Sequence, residues 1–587
     1  SGKFPPAQQT PPTNTAMGDL SASRWSAVLL VALGLVTLQG ATHAASFPAT
    51  QGRGGAVAAG ERAATEVGIE ILRAGGNAVD AAVATALALA VVQPDAGNLG
   101  GGGFAVVRMG KELTSLDFRE TAPTAARRDM YLDSDGRPDD DASREGPLAA
   151  GVPGTPTGLY TLHRRFGRLP WRDVVEPAYR LAADGFVVSR RLQQSVAGSR
   201  EHLERFPETA AVWLPGGEPP QAGSRMRLPA LAATLKSYAE HGPTALTTGP
   251  AAEAIERVST KYGGVLRTFD IEGYRPVWRQ PLTFEAFGWR FASMDLPASG
   301  GIILAQSMAL LESLDWSANP RAGAERAHQL AEVLRRSFAD RYLLGDPVTT
   351  LADSKTLLDP DWLALRRSTI RAGRATLSAE VAQSPPPTLE ESSDTTHLSV
   401  ADRAGNLVAL TTTLNDAFGC GLLVPELGFF LNNEMDDFAT APGHPNMYGL
   451  IQGEANVVGP GKRMLSSMAP TLGWRGSESV ALGARGGGRI PTAVLQVLLN
   501  MLVDGDGLQS AIDRPRLHHQ WLPDLLRSEA DALSPETRTT LEGWGHEIEV
   551  WNRTAKVHAV RRLADGRFEA AADPRGPGVA GVVDPLP

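Results

Sequence analysis

The chain has 587 residues, 42% hydrophobic and 21% charged, the profile of a globular protein large enough to bury an extensive core. A formal net charge of −9 without a basic patch argues against nucleic acid as a partner. Cys420 is the one cysteine, which excludes an internal disulfide, a cysteine-based metal cluster and a covalently attached haem.

Residues 1–45 read as an N-terminal extension and secretory signal peptide. Arg24 precedes the apolar run Val28 to Val36, and the small residues of Ala41-Thr42-His43-Ala44-Ala45 suit a signal peptidase. Met17 looks like a natural start. The apolar run is too short to span a bilayer, and no cysteine stands at the cleavage point to carry lipid. The expectation is a periplasmic or secreted protein with no stable membrane anchor.

Apolar spacing predicts a helix over 62–73, ended by Gly75-Gly76, and a second over 79–92 that Asn77 caps, with Asp80 in its first turn. The second helix is almost entirely Ala, Val and Leu, which predicts burial. The glycines of Asn98-Leu99-Gly100-Gly101-Gly102-Gly103-Phe104 lead into a strand over 105–108. They precede a strand rather than a helix and lack Lys-Ser/Thr, so they do not form a P-loop. Tight packing against a neighbouring strand is favoured over phosphate binding. Residues 155–390 alternate helical segments with loops, and 324–342 is an amphipathic helix. The run Pro385-Pro386-Pro387 is the best internal boundary. Beyond it the pattern turns to strands at 397–402, 407–414, 421–423 and 427–431, then to a helix over 490–503.

The polar segment before the first of these strands ends at Asp394, and Thr395-Thr396-His397 follows at once. That order suits a self-cleaving N-terminal nucleophile. The Asp394–Thr395 bond breaks, the Thr395 hydroxyl becomes the nucleophile, and its freed α-amine becomes the base. The same residues also fit an ordinary surface loop before a hairpin. A turn at 403–406 would pair 396 near 413 and bring Thr413 within a residue or so of Thr395, although threonines are also simply good strand formers.

Three further groups carry chemistry. Asn432-Asn433-Glu434-Met435-Asp436-Asp437 concentrates acceptors that could hold an ammonium; a solvated turn is the plainer alternative, and EF-hand spacing is absent. In Lys462-Arg463-Met464-Leu465-Ser466-Ser467 the paired serines can donate to a carboxylate, or the segment is only a loop. The glycines of Gly483-Ala484-Arg485-Gly486-Gly487-Gly488-Arg489, ahead of the 490–503 helix, suit an oxyanion hole.

With Gly75 to Ala82, Leu116-Asp117-Phe118-Arg119-Glu120, Thr413-Leu414-Asn415 and Arg516-Leu517-His518-His519-Gln520, these motifs resemble the γ-glutamyltranspeptidases, members of the N-terminal-nucleophile hydrolases. The resemblance runs from about Gly55 to Asp584. It implies an α/β (α+β) fold, a four-layer αββα sandwich, and an exported hydrolase and transferase acting on glutathione and other γ-glutamyl amides without a cofactor or metal. Self-cleavage would give a large subunit (46–394) and a small subunit (395–587) that remain a heterodimer. Thr395 would be the nucleophile and Thr413 its hydrogen-bond partner. Arg119, Ser466 and Ser467 would bind the substrate α-carboxylate, and Asn415, Glu434 and Asp437 its α-ammonium. Gly486 and Gly487 would form the oxyanion hole, and Tyr448 would gate a lid at 442–453. Amino acids or dipeptides would be acceptors. His518 and His519 read as structural.

The chain departs from the family pattern at Ala484, Arg485 and Gly488, and at Asp416, Ala417 and Cys420 after Asn415, which puts acceptor preference in doubt. Two alternatives remain at this point. One is a cephalosporin (glutaryl) acylase of the same family; the other is an inactive binding paralogue.

Overall fold

The computed structural model describes residues 47–382, 395–552 and 554–584. The leader at 1–45, the proline run at 385–387 and Asp394 lie outside the described residues.

The two N-terminal helices form where their caps put them, at Arg62–Arg73 and Ala78–Val92. The Asn77 side chain accepts from Val79 N and Asp80 N, while Asp80 accepts from Asn77 N, a reciprocal cap at the second helix. Every side chain of Ala78–Val92 is buried. Small residues all round allow it to lie between a sheet and an outer helical row.

Two antiparallel seven-stranded sheets form the centre. The first runs Val579–Val582, Gly55–Ala59, Thr396–Asp402, Leu407–Thr413, Gly102–Met109, Glu112–Asp117 and Val277–Arg279. The second runs Thr50–Gly52, Phe568–Ala572, Lys556–Arg562, Glu478–Arg485, Thr471–Arg475, Trp289–Ser293 and Leu282–Ala286. Alternation along each strand divides the cores. Leu398, Val400, Val408 and Leu410 pack with Leu87 and Val91 of the N-terminal helices. Ala401, Leu407 and Ala409 face the other way, towards Leu472, Ala481 and Val560 of the second sheet, whose far side is covered by Ile303, Leu334 and Val494 from three further helices. This is the expected four-layer αββα sandwich.

Segments on either side of residue 395 contribute strands to both sheets. In the first, Thr396–Asp402 pairs with Gly55–Ala59, and Leu407–Thr413 with Gly102–Met109. In the second, Thr471–Arg475 pairs with Trp289–Ser293.

Three sequence expectations need adjustment. The hairpin register is shifted by one, with Thr396 opposite Thr412 and Ala401 opposite Leu407. Asp402 is drawn into the turn, where its Oδ1 accepts from Ala404 N and Asn406 N. The strands expected at 421–423 and 427–431 shrink to Leu423–Val424 and Phe429–Phe430, because Gly419, Gly421 and Gly428 turn the chain at positive φ. The helix expected over 324–342 ends at Asp340, and Arg341–Leu343 forms a tighter turn.

Candidate active site

Thr395 sits at the head of the central strand Thr396–Asp402 and is 3% exposed. Carrying the hairpin register one residue further sets Thr413 opposite, and their hydroxyl oxygens lie 3.4 Å apart. Asn415 N donates to Thr413 Oγ1 at 2.8 Å. Either hydroxyl can be the donor of the Thr395–Thr413 pair.

The four-glycine run explains how this hairpin is held. A Cβ on Gly101 would lie 2.1 Å from the Thr413 carbonyl, and one on Gly103 2.2 Å from that of Thr411. The run therefore serves close backbone packing, the favoured reading. Asn98 completes the bracket, donating to Thr413 O at 2.8 Å and accepting from Gly101 N at 3.0 Å.

The 432–438 cluster divides its labour. Asn432 is structural: it donates to Gly100 O and Gly151 O and accepts from Gly151 N and Glu434 N. Asn433 accepts from Asp416 N and donates to Arg144 O. Asp436 turns to Ser143, Arg144 and the Met447 N–H. Glu434 and Asp437 instead meet Arg119, whose guanidinium donates one arm to each. Arg119, fully buried, follows the strand Glu112–Asp117 and is fixed by Asp117 Oδ1 on its N–H and by the Tyr274 hydroxyl on its carbonyl.

Burial drives the Glu434 and Asp437 carboxyls above the ordinary carboxylate range despite Arg119. Burial also pushes Glu120, 3.8 Å from the Arg119 guanidinium, up to about 8. Besides both Glu120 carboxylate oxygens, two buried polar atoms at this site have no partner among the described residues: Glu434 Oε2, an acceptor, and Ser467 Oγ, a donor. A bound zwitterion supplies the complement of both.

Ser466 and Ser467 come from the segment before Thr471–Arg475. Ser466 N donates to Pro297 O and its carbonyl accepts from Ser299 N. Gly486 and Gly487 lie between the strand Glu478–Arg485 and the helix Ile490–Leu498, with φ of +138° and +55°. A Cβ on Gly487 would stand 2.4 Å from the Tyr448 ring. Tyr448 is buried and donates its hydroxyl to Asn415 O at 2.6 Å. Asn446 donates to Asp437 Oδ1 at 3.0 Å, and Gln452 to Asp437 O at 2.9 Å. The 442–453 segment thus packs against Asn415 and Asp437 beside a cavity of about 20 Å³ lined by Thr395, Thr413, Asn415, Asp437, Ser467 and Gly487.

The structure therefore brings every sequence-predicted site residue to one place. His518 and His519 sit elsewhere: His518 bonds Thr492 and Gln520, and His519 accepts from Trp521 N. His328, Glu332 and His546 cluster closely enough to suggest a metal site. However, Glu332 is already held by Arg335, Arg336 and Thr376, and two guanidinium groups there oppose a cation. Sequence reasoning gave Asn98 and Asn446 no role of their own and missed Ser299 and Arg341, which no local motif marks.

A threonine heading a central strand between two sheets, beside a glycine nest, defines the class: an N-terminal-nucleophile hydrolase. The Gamma-glutamyltranspeptidase family profile matches residues 64–583, and the chain belongs to that family. It is 40% identical over 536 residues to the glutathione hydrolase proenzyme of Escherichia coli K12, covering 90% of this chain and 92% of that relative. The glutathione hydrolase proenzyme of Pseudomonas aeruginosa is 39% identical, covering 95% of this chain and all of its own length. Among solved structures, Helicobacter pylori gamma-glutamyltranspeptidase aligns with a TM-score of 0.54 at 34% identity, over 55% of this chain and 93% of its own. A cephalosporin acylase from Bacillus halodurans aligns with a TM-score of 0.81 over 93% of this chain and 99% of its own, but at 24% identity that likeness concerns the fold alone.

Proposed function

We propose that this protein is a γ-glutamyl hydrolase and transpeptidase that acts on glutathione and other γ-glutamyl amides after cutting itself at Asp394–Thr395. The observation that carries this reading is the pairing of Arg119 with Glu434 and Asp437 beside Thr395. A γ-glutamyl group ends in an amino-acid zwitterion. Its carboxylate replaces the acids on the Arg119 fork and takes the Ser467 hydroxyl and Ser466. Its ammonium takes Glu434, Asp437 and the Asn415 amide oxygen. An internal ion pair is exchanged for an external one of matching charge.

Thr395 Oγ1 attacks the δ-carbonyl, and its α-amine takes the hydroxyl proton and passes it to the leaving amine. The oxyanion is held by the Gly486 and Gly487 N–H groups, and Thr413 donates to Thr395 Oγ1. The resulting γ-glutamyl ester is released to water, or to the amine of an amino acid or dipeptide. Residues 46–394 and 395–587 form the two subunits, and their shared membership of both sheets supports their staying together. Among the described residues no helix is long and apolar enough to cross a membrane. The leader-like 1–45 sequence supports a periplasmic or secreted location.

The glutaryl acylase reading is less well supported, because a glutaryl group offers no ammonium to the open Glu434 Oε2. An inactive paralogue would have no use for the Thr395–Thr413 pair. Incubation with γ-glutamyl and glutaryl anilides separates the three: release from the γ-glutamyl compound alone is expected, and release from the glutaryl compound alone, or from neither, refutes the proposal.

A further inference from the structure

Arg341 ends the helix Ala324–Asp340 and is 2% exposed, yet among the described residues no carboxylate forms an ion pair with it. Its Nε donates to Ser299 Oγ at 3.0 Å, and Ser299 Oγ donates in turn to the Ser466 carbonyl at 2.7 Å. Its Nη1 is buried without a partner. A guanidinium is costly to bury, and the acid nearest in effect is Asp437, while Arg119 acts against it. Burial lowers the Arg341 pKa to about 10, so it remains a cation at neutral pH.

Charge balance gives this group a purpose. In the closed site Arg119 serves both Glu434 and Asp437. When a zwitterion enters, its carboxylate claims Arg119, and its single ammonium faces two carboxylates. The pocket is neutral only if a second fixed cation is counted, and Arg341 is that cation. We propose that Arg341 is a positioning residue for the γ-glutamyl site: anchored on Ser299 behind Ser466, it keeps Asp437 an anion once Arg119 turns to the substrate carboxylate. This inference rests on the γ-glutamyl reading above.

The groups that act on Asp437 are Arg119 and Glu120 after the strand Glu112–Asp117, Glu434 and Asp436 on its own turn, Arg341, and the neutral Asn446 of the lid. Burial raises the Asp437 pKa, and after Arg119 the largest opposing influence is Arg341. Without Arg341, Asp437 takes up a proton at a higher pH and ceases to accept from the ammonium. The loss therefore grows as pH falls.

The test is Arg341→Gln, which keeps a donor for Ser299, beside Arg341→Lys, which keeps the charge. Kinetics on γ-glutamyl-p-nitroanilide are measured from about pH 5.5 to 9, with self-cleavage followed on denaturing gels. For Arg341→Gln we expect normal self-cleavage, little change in kcat, and a KM that climbs about tenfold more than wild type per unit fall in pH below the Asp437 pKa. Arg341→Lys should restore most of the wild-type profile. A KM raised equally at every pH, an unchanged KM, or a well-folded lysine variant no better than glutamine overturns the inference. If Arg341→Gln does not fold, Arg341→Lys decides alone: a wild-type pH profile supports the charge role, and a pH-independent loss refutes it. Wild-type enzyme that releases no p-nitroaniline refutes the γ-glutamyl reading itself, which distinguishes the two failures.

Discussion

Thr395 Oγ1 and Thr413 Oγ1 face each other at 3.4 Å across the first rungs of the central hairpin, and Asn415 N fills the acceptor side of Thr413. The two hydroxyls are thereby placed to share one hydrogen bond. Thr413→Ala should slow both self-cleavage and γ-glutamyl-p-nitroanilide turnover by about 10- to 100-fold, from a hydrogen bond of about 1.5–3 kcal/mol to a charged oxygen. Thr413→Ser should stay near wild type. Equal rates for the alanine variant in both assays would remove Thr413 from the mechanism.

Self-cleavage should yield a small fragment whose N-terminal sequence begins Thr-Thr-His-Leu. Thr395→Ala should remain one chain through prolonged incubation. Because both fragments contribute strands to both sheets, they should co-elute in gel filtration without denaturant and separate only on unfolding. A different start, or fragments that part under native conditions, contradicts this account.

Arg119→Ala should lower kcat/KM for γ-glutamyl substrates by about 2–5 kcal/mol, since it strands two buried carboxylates as well as losing the substrate contact. Thermal unfolding should shift to lower temperature for the same reason. Arg119→Lys should recover little activity, because an ammonium cannot offer two parallel donors. Self-cleavage involves no bound γ-glutamyl group and should proceed in both. Wild-type kcat/KM in Arg119→Ala would disprove the assignment.

Gly487→Ala adds a Cβ at φ +55°, 2.4 Å from the Tyr448 ring. The nest and the lid cannot both keep their positions. A fall in kcat of about 100- to 1000-fold is expected, the effect of losing one oxyanion donor. Tyr448→Phe removes the hydroxyl bond to Asn415 O and should cost about 0.5–1.5 kcal/mol of lid closure, read as faster trapping by a covalent glutamate analogue. If the two variants behave alike, the crowding at Gly487 is not what fixes the nest.

Activity should rise with pH as the Thr395 α-amine, whose unperturbed pKa is about 7.7–8.0, loses its proton and becomes a base. KM should rise as pH falls, because Glu434 and Asp437, both raised by burial, take up protons and lose their hold on the ammonium. Kinetics across the pH range separate the two effects, one in kcat and one in KM. A KM independent of pH argues that neither carboxylate meets the ammonium.

The chemistry was legible in the sequence wherever it is encoded by neighbours in the chain. The abrupt change from a polar segment to a strand at Thr395, the caps at Asn77 and Asp80, the glycines before Phe104 and the nest at Gly486 and Gly487 each act through backbone geometry within a few residues. The family motifs then linked those pieces into one site. What the tertiary structure alone decided is how charges from distant segments meet. The one-residue hairpin register was settled by Asp402 folding into the turn. Which residues of the 432–438 cluster face Arg119, and which brace Gly151 or Ser143, depended on elements that pack there from far away in sequence. Arg341 and Ser299 carry no local signal at all. Their part in the site exists only because burial removes water's screening, so that a charge behind Ser466 is felt at Asp437.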